Sequence, residues 1–388
     1  MPGHRLSLGE SIDMLPLEVR NLGPLKEAVL EPADFTVLVG PQGTGKSLLL
    51  QTIYLVQETD FIRRRLRQAR EPYRSIREFL YLFFGRGYEG LIGPETSIWV
   101  GPSPYLLRDA LRKPLPASVI QAKGMYIPAA RSGALWRGIT HPFKEHSPGV
   151  PFVLRLFSHF LHWYLHLPLQ RHSFRPSPAF LFQAVSMEIW GGFERYIRFS
   201  PQFEIGLKKG KEVRLPYTSL SFGQREFMPL YFALRFLYGP RGARKIKHLT
   251  YVIIEEPELG LHPKGIKVTF LLLLELLHRG YKVYLSTHSH DILEMVWLMR
   301  TLQKEGAIAE DVLSFFELPR EEEGAVELAS VALEKSYRVY YFAKSGGVKD
   351  ISSLDPCAED EDTADWGGLS TLATRASHVI AEVMRRHE

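Results

Sequence analysis

Residues 35–50 read FTVLVGPQGTGKSLLL, and no other stretch restricts the fold of this chain as strongly. Phe35 to Val39 form an apolar strand, and Leu48, Leu49, Leu50, Ile53 and Leu55 follow with helical spacing. Between them lie Gly40, Pro41, Gln42, Gly43, Thr44, Gly45, Lys46 and Ser47, with Leu48 opening the helix. This is the phosphate-binding P-loop pattern. Its glycines let successive backbone N–H groups turn inward around phosphates, and the helix that follows offers its positive end to the same anion. Lys46 is then set to reach the β- and γ-phosphates, and the Ser47 hydroxyl to bind Mg²⁺.

A P-loop does not by itself name a function, so the acidic motif has to narrow it. That motif is YVIIEEPELGLHP, residues 251–263. An apolar strand ending in two acids puts Glu255 and Glu256 at the carboxyl end of a sheet, where ligands sit in open α/β folds. One carboxylate can hold the Mg²⁺ shell through water and the next can polarise an attacking water, which is most of what phosphoryl transfer asks of side chains. In LSFGQRE, residues 220–226, Ser221, Gly223 and Gln224 stand at a helix start, a second N-terminal anion site. STHS, residues 286–289, presents His288 just after a strand.

Taken in order, these four segments resemble the ABC/SMC-type ATPase superfamily. EEPELGLHP with STHS is similar to its branch of RecF-type repair proteins, overcoming-lysogenisation-defect nucleases and antiphage-defence AAA-family ATPases, and YIPAARS at 126–132 is similar to a segment of the defence ATPases. The resemblance covers roughly residues 14–345. It implies an α/β P-loop ATPase head with a mixed sheet core and an inserted helical signature lobe, binding ATP and Mg²⁺. Carried over, Lys46, Glu256 and His288 are catalytic, with Glu256 orienting water and His288 sensing the γ-phosphate. Ser47 and Glu255 serve the metal. Ser221, Gly223 and Gln224 contact the nucleotide of a second copy, so an ATP-dependent homodimer is expected. The chain departs from the common pattern in having Glu at 255 rather than Asp and SFGQ rather than SGGQ, and neither change removes a needed group. For the family's Q-loop glutamine, Gln121, just before the MYIPA strand, is the better candidate and Gln51 the worse.

The remaining sequence sets the context. With 388 residues, 45% hydrophobic and 23% charged, the chain can bury a sizeable core. Cys357 is the single cysteine, so no internal disulfide forms and a reducing cytoplasm is expected. VTFLLLLELL at 268–277 is broken by Glu275 and too short to span a bilayer, and MPGHRLSLGE has no apolar signal core, so no membrane segment is expected. Residues 1–345 read as the ATPase domain, with a Pro/Gly-rich surface insertion at about 58–120 and a helical lobe at about 141–244. Within that lobe 150–200 is aromatic and helical in period, and 203–220 reads as a hairpin turning at Lys208–Gly210. The last part, 346–388, reads as an acidic run, AEDEDTAD at 358–365, expected to be solvated and flexible, and a closing helix ending at Met384–Arg386.

Two weaker constellations remain. Arg63, Arg64, Arg65, Arg67, Arg70, Arg74 and Arg77 are dense enough to grip phosphates of DNA or RNA, and the net charge of +5 permits it. His159, His162 and His166 have ligand-like spacing but stand among aromatics, which favours packing over metal. Three functions compete: an ATPase switch acting on nucleic acid or on a separate nuclease or toxin effector, in DNA repair or antiviral defence; the nucleotide subunit of a membrane transporter; and a non-hydrolysing ATP-binding scaffold. The basic and aromatic segments and the LHP sequence favour the first.

Overall fold

The computed structural model describes residues 16–87, 90–115, 121–136, 139–140, 149–166, 178–198, 204–210, 213–239, 245–356 and 358–369. Strands β1 (Leu17–Leu22) and β2 (Leu25–Leu30) form a hairpin, followed by β3 (Phe35–Val39) and the long helix α1 (Lys46–Gln68). Next come α2 (Ile76–Phe84), β4 (Ile92–Val100), β5 (Ser103–Pro104), α3 (Leu107–Arg112), β6 (Gly124–Ile127), β7 (Leu135–Trp136) and β8 (Ile139–Thr140). Then follow α4 (Phe152–His166), α5 (Ala179–Glu188), β9 (Glu194–Arg198), β10 (Glu204–Lys209), β11 (Val213–Pro216) and α6 (Phe222–Tyr238). The rest is β12 (Tyr251–Glu255), α7 (Pro263–His278), β13 (Lys282–Thr287), α8 (His290–Lys304), α9 (Ala309–Phe316), α10 (Ala325–Glu334), β14 (Tyr337–Phe342), β15 (Val348–Asp350) and α11 (Glu361–Ala364).

The core is a six-stranded mixed sheet in the order β15-β14-β3-β13-β12-β6, parallel except for β15 at one edge. Alternation along the strands splits the interior in two. Phe35, Val37, Val39, Val252 and Ile254 face the cluster containing Leu272 of α7 and Leu230 of α6, whereas Leu38 and Ile253 face the cluster of α1, β1 and β2. Register decides where the chemistry lies. Val39 pairs with Thr287, Glu255 with Ser286, and Ile254 with Ile127, so the turns after β3, β12, β13 and β6 all leave one edge of the sheet.

Several sequence expectations change here. The arginine-rich stretch is not apart from the P-loop helix, because α1 runs on to Gln68 with a single non-helical residue, Glu58, inside it. The region expected as a surface insertion also contributes to the core. Phe79, Leu80, Phe83 and Phe84 of α2 are buried, and β4 pairs antiparallel with β1 in a second sheet, β2-β1-β4-β5. Two of its glycines end elements rather than keep the segment outside: Gly85 terminates α2 at φ 89° and Gly101 follows β4 at φ 58°. Residues 194–198, expected to be helical, form β9, which joins β10 and β11 in a three-stranded sheet. The acidic run is anchored. Asp360 accepts from Thr363 N at 3.0 Å and pairs with Lys349, and the buried Trp366 donates from its indole to the Leu354 carbonyl at 2.9 Å and stacks on His290. The closing helix expected near Met384–Arg386 lies outside the described residues.

Candidate active site

The loop after β3 needs its glycines. A Cβ on Gly40, at φ 145°, would stand 2.5 Å from the Phe342 carbonyl oxygen, and one on Gly45, at φ 99°, would stand 2.8 Å from Leu25 Cγ. Gly45 caps α1 without a side-chain hydrogen bond, and no acid stands in the first turn. The helix start therefore keeps backbone donors and positive potential for a bound anion. Lys46 is buried, and its Nζ donates to the Gly40 and Pro41 carbonyls at 2.7 Å each. Burial pulls this ammonium down to about 8, with the Glu256 charge opposing the shift. Thr44 Oγ1 donates to the Pro41 carbonyl at 2.8 Å, Gln42 and Ser47 are exposed, and Leu48 is buried. A glycine cradle, an uncapped helix start and a lysine with no carboxylate partner among its hydrogen bonds suit a nucleotide triphosphate with Mg²⁺.

The turn after β12 carries the acids. Glu255 is buried, and its two carboxylate oxygens accept from the Tyr126 hydroxyl at 2.7 Å and from Ala129 N at 2.9 Å. Glu256 sits in the left-handed region at φ 43°, uncommon for a non-glycine residue. Its N–H donates to the Ser286 carbonyl at 2.9 Å, and its own carbonyl accepts from Arg131 Nη2 at 2.9 Å. The side chain reaches out instead, with Oε1 3.7 Å from His288 Nε2. Burial and the Lys46 charge lower the His288 pKa, with Glu256 opposing, which favours the neutral ring near pH 7. Lys46, Glu256 and His288 thus share one site.

Residues 151–294 match the family described as AAA domain, putative AbiEii toxin, Type IV TA system. The match takes in Ser221–Gln224, both acids and His288. Two solved structures similar to it are an SmcHead bound to the C-winged helix domain of ScpA and the SMC head domain from Thermotoga maritima. The first is 12% identical with a TM-score of 0.44, covering 86% of this chain and 95% of that one. The second is 12% identical with a TM-score of 0.34, covering 72% and 91%. No curated protein matches the sequence.

Within the matched segment, Ser221 caps α6 through a box in which Gln224 N donates to Ser221 Oγ at 3.3 Å and Ser221 N to Gln224 Oε1 at 3.1 Å. Gln224 Nε2 also donates to the Ile189 carbonyl at 3.2 Å. Gly223 lies flush on the acid loop, where a Cβ would come within 2.1 Å of the Gly260 carbonyl oxygen. Unlike α1, then, α6 begins with its own cap and with its glycine turned to the head's own backbone. Gln121 does not join the site: β6 runs parallel to β12, so the residue ahead of it lies at the sheet edge opposite the P-loop, and it is exposed. Gln51, on α1, has a buried Oε1 without a hydrogen-bond partner.

Three residues of the site escaped sequence reasoning. Tyr126 was visible only as part of a strand, and Arg131 only within YIPAARS. Glu258 is the third acid of EEPE; its Oε1 accepts from Thr287 Oγ1 at 2.7 Å and from His288 N at 2.8 Å, fixing the turn that presents the histidine. Burial pushes its carboxyl upward, and its second oxygen is buried without a hydrogen bond. Of the arginine stretch, Arg63 points inward to Asp60 and to the carbonyls of Leu111 and Lys113, so it is not available to a ligand. Arg65, Arg67, Arg70, Arg74 and Arg77 are exposed. His159, His162 and His166 do not converge as a ligand set among the described residues; the His162 and His166 rings lie 4.3 Å apart on a helix whose Phe160, Trp163 and Tyr164 pack on Phe236.

No helix among the described residues is long and apolar enough to cross a membrane.

Proposed function

We propose that this head is a Mg²⁺-dependent ATPase of the cytoplasm whose ATP-bound form is a head-to-tail homodimer, switching the state of a nucleic acid or a separate effector protein. The observation that carries the reading is the uncapped start of α1, with the buried Lys46 beside Glu256 and His288 at one sheet edge. ATP supplies the phosphoryl group, and Mg²⁺, when bound, would spread the charge that builds on it. Residues Gly40–Leu48 hold the phosphates by backbone donors and the Lys46 ammonium. Ser47 Oγ and, through water, Glu255 would hold the metal. Glu256 orients the attacking water and accepts its proton, while neutral His288 donates toward the γ-phosphate. Ser221, with Gln224 beside it and Gly223 seating the helix on the acid loop, meets the γ-phosphate of the opposite copy, completing a site that the P-loop encloses on one side only. A role in DNA repair or antiviral defence, and a nuclease or toxin effector, follow from the resemblance alone.

Glu256→Gln should bind ATP and lose turnover by about 10²–10⁴-fold. With saturating ATP it should be a dimer in light scattering. A parental rate would remove Glu256 from the role of base, and a monomer would remove the dimer.

A further inference from the structure

Arg131 is the largest side chain that is completely buried among the described residues, and its guanidinium meets no carboxylate. Nε donates to the Glu226 carbonyl at 3.0 Å, Nη1 to the Glu255 carbonyl at 2.8 Å and to the Pro128 carbonyl at 3.4 Å, and Nη2 to the Glu256 carbonyl at 2.9 Å. Taking a guanidinium out of water without pairing it to an anion is costly, and packing alone would be served better by an apolar residue. Its acceptors belong to different segments. Glu226 lies in the second turn of α6, the helix capped by Ser221, while Glu255 and Glu256 end β12. The fork therefore spans the two features that the proposed reaction requires to act together.

It also touches backbone held in an uncommon conformation. Glu256 holds φ 43°, a region a non-glycine side chain keeps only when its surroundings over-determine it. One support is the Ser286 carbonyl that accepts from its N–H, and another is the Leu259 N–H that donates to its carbonyl at 3.2 Å. Arg131 supplies a charge-assisted bond to that same carbonyl. The turn that carries Arg131 is pinned to the acid strand a second time, by Ala129 N donating to Glu255 Oε2.

We propose that Arg131 is a positioning residue that holds Glu256 in its left-handed conformation and ties it to α6, so that a shift of the signature helix moves the water-orienting carboxylate. This rests on Glu256 being the base. The guanidinium reaches neither water nor nucleotide in the proposed reaction; it acts through the Glu256 backbone.

The test uses the full chain with Arg131→Met, Arg131→Lys, Glu256→Gln and the Arg131→Met, Glu256→Gln double variant, with ATP affinity and turnover measured separately. Arg131→Met should bind ATP with nearly parental affinity yet turn over about a hundredfold more slowly per bound nucleotide, the loss expected of a misplaced catalytic group. Arg131→Lys should recover part of that loss. The double variant should be no slower than Glu256→Gln, because both changes disable one device. If Glu256→Gln is inactive but Arg131→Met keeps the parental rate, the positioning role is overturned while the base assignment stands. A parental rate for Glu256→Gln removes the base assignment instead. Affinity and turnover falling together, in step with a lost folded fraction, would make Arg131 a packing residue. Failure of both Arg131 variants to fold would likewise overturn the proposal, since the residue would then serve the fold rather than the loop.

Discussion

Replacing Gly223 by alanine inserts one methyl group between α6 and the acid loop, and the structure sets the size of the effect. The new Cβ would start 2.1 Å from the Gly260 carbonyl oxygen and 2.8 Å from its carbon, backbone atoms that no rotamer change can clear. Relief requires a displacement of roughly an ångström, the scale of strain that costs about 1–3 kcal/mol in an overpacked interior. Helix α6 is the stiffer side, held by its capping box and by the bond from Arg131 to Glu226, so the loop that begins at Glu256 has to move. The melting temperature should fall by about 2–4 °C for each kcal/mol, and ATP turnover should fall with it. Gly265 is the matched control. It lies in α7 just beyond the same loop, has no positive φ, and a Cβ there would meet nothing closer than Ile189 Cγ1 at 3.4 Å. Gly265→Ala should therefore stabilise by about 0.5–1 kcal/mol, because alanine loses less backbone entropy in a helix. Calorimetry and turnover on both variants decide the matter. Equal melting temperatures for Gly223→Ala and the parent, or a fall in both variants, would refute the reasoning.

Burial holds the Lys46 ammonium down to about 8, so ATP affinity should weaken as pH rises above that value, and Lys46→Arg, which stays charged, should lose this alkaline limb in an equilibrium binding titration. Glu58 is buried with its carboxylate accepting from Lys123 N, Gly124 N and the Tyr251 hydroxyl, and desolvation raises it from 4.5 to about 7. The native state then binds more protons than the unfolded chain between those values, so Glu58 contributes stability that is complete below pH 4.5 and lost as pH rises through 7. Urea unfolding should show Glu58→Gln gaining about 3 kcal/mol relative to the parent between pH 4.5 and 8. Replacing the exposed Arg67, Arg70, Arg74 and Arg77, which run from the end of α1 into α2, together by serine should leave melting unchanged and lower both the affinity for DNA or RNA and its salt slope; undiminished binding in a filter assay would take nucleic acid away from this stretch.

What could be read from the sequence was chemistry confined to one turn. Gly40–Ser47 needs particular residue types at fixed local spacing, and the same is true of two acids ending an apolar strand. The parts that resisted reading depend on partners distant in the chain. Seven arginines in one stretch signal a solvated face, but Arg63 is drawn inside by carbonyls at 111 and 113 that only the fold brings near. Strand β4 contains Gly93 and Pro94, which locally argue against pairing, yet β1 offers an edge and Leu17–Arg20 take up Ser97–Val100 in register. Gln121 was favoured for standing beside a strand, a criterion blind to which end of the strand it occupies. The acidic run has the composition of a flexible tail, yet it is ordered by Lys349 and by the docking of the adjacent Trp366 on Leu354 and His290, partners that lie outside the run.

The polar ties that sequence reasoning missed converge on a single short loop. Glu256 to Gly260 begins and ends in the left-handed region, at φ 43° and 74°, and so reverses direction without hydrogen-bonding into either flanking element. Its fixation comes from outside: Ser286 of β13 accepts from Glu256 N, Arg131 donates to the Glu256 carbonyl, Glu258 anchors Thr287 and His288, and Gly223 of α6 presses on Gly260. A loop held this way has little stability of its own and takes its shape from the segments that grip it. Movement of α6 therefore reaches Glu256 by two short routes, the Gly223–Gly260 contact and the Glu226–Arg131–Glu256 bonds. The first transmits a push and the second a pull, so a helix displaced in either direction disturbs the carboxylate. Hydrolysis coupled in this manner would respond to the position of α6 as well as to occupancy of the P-loop.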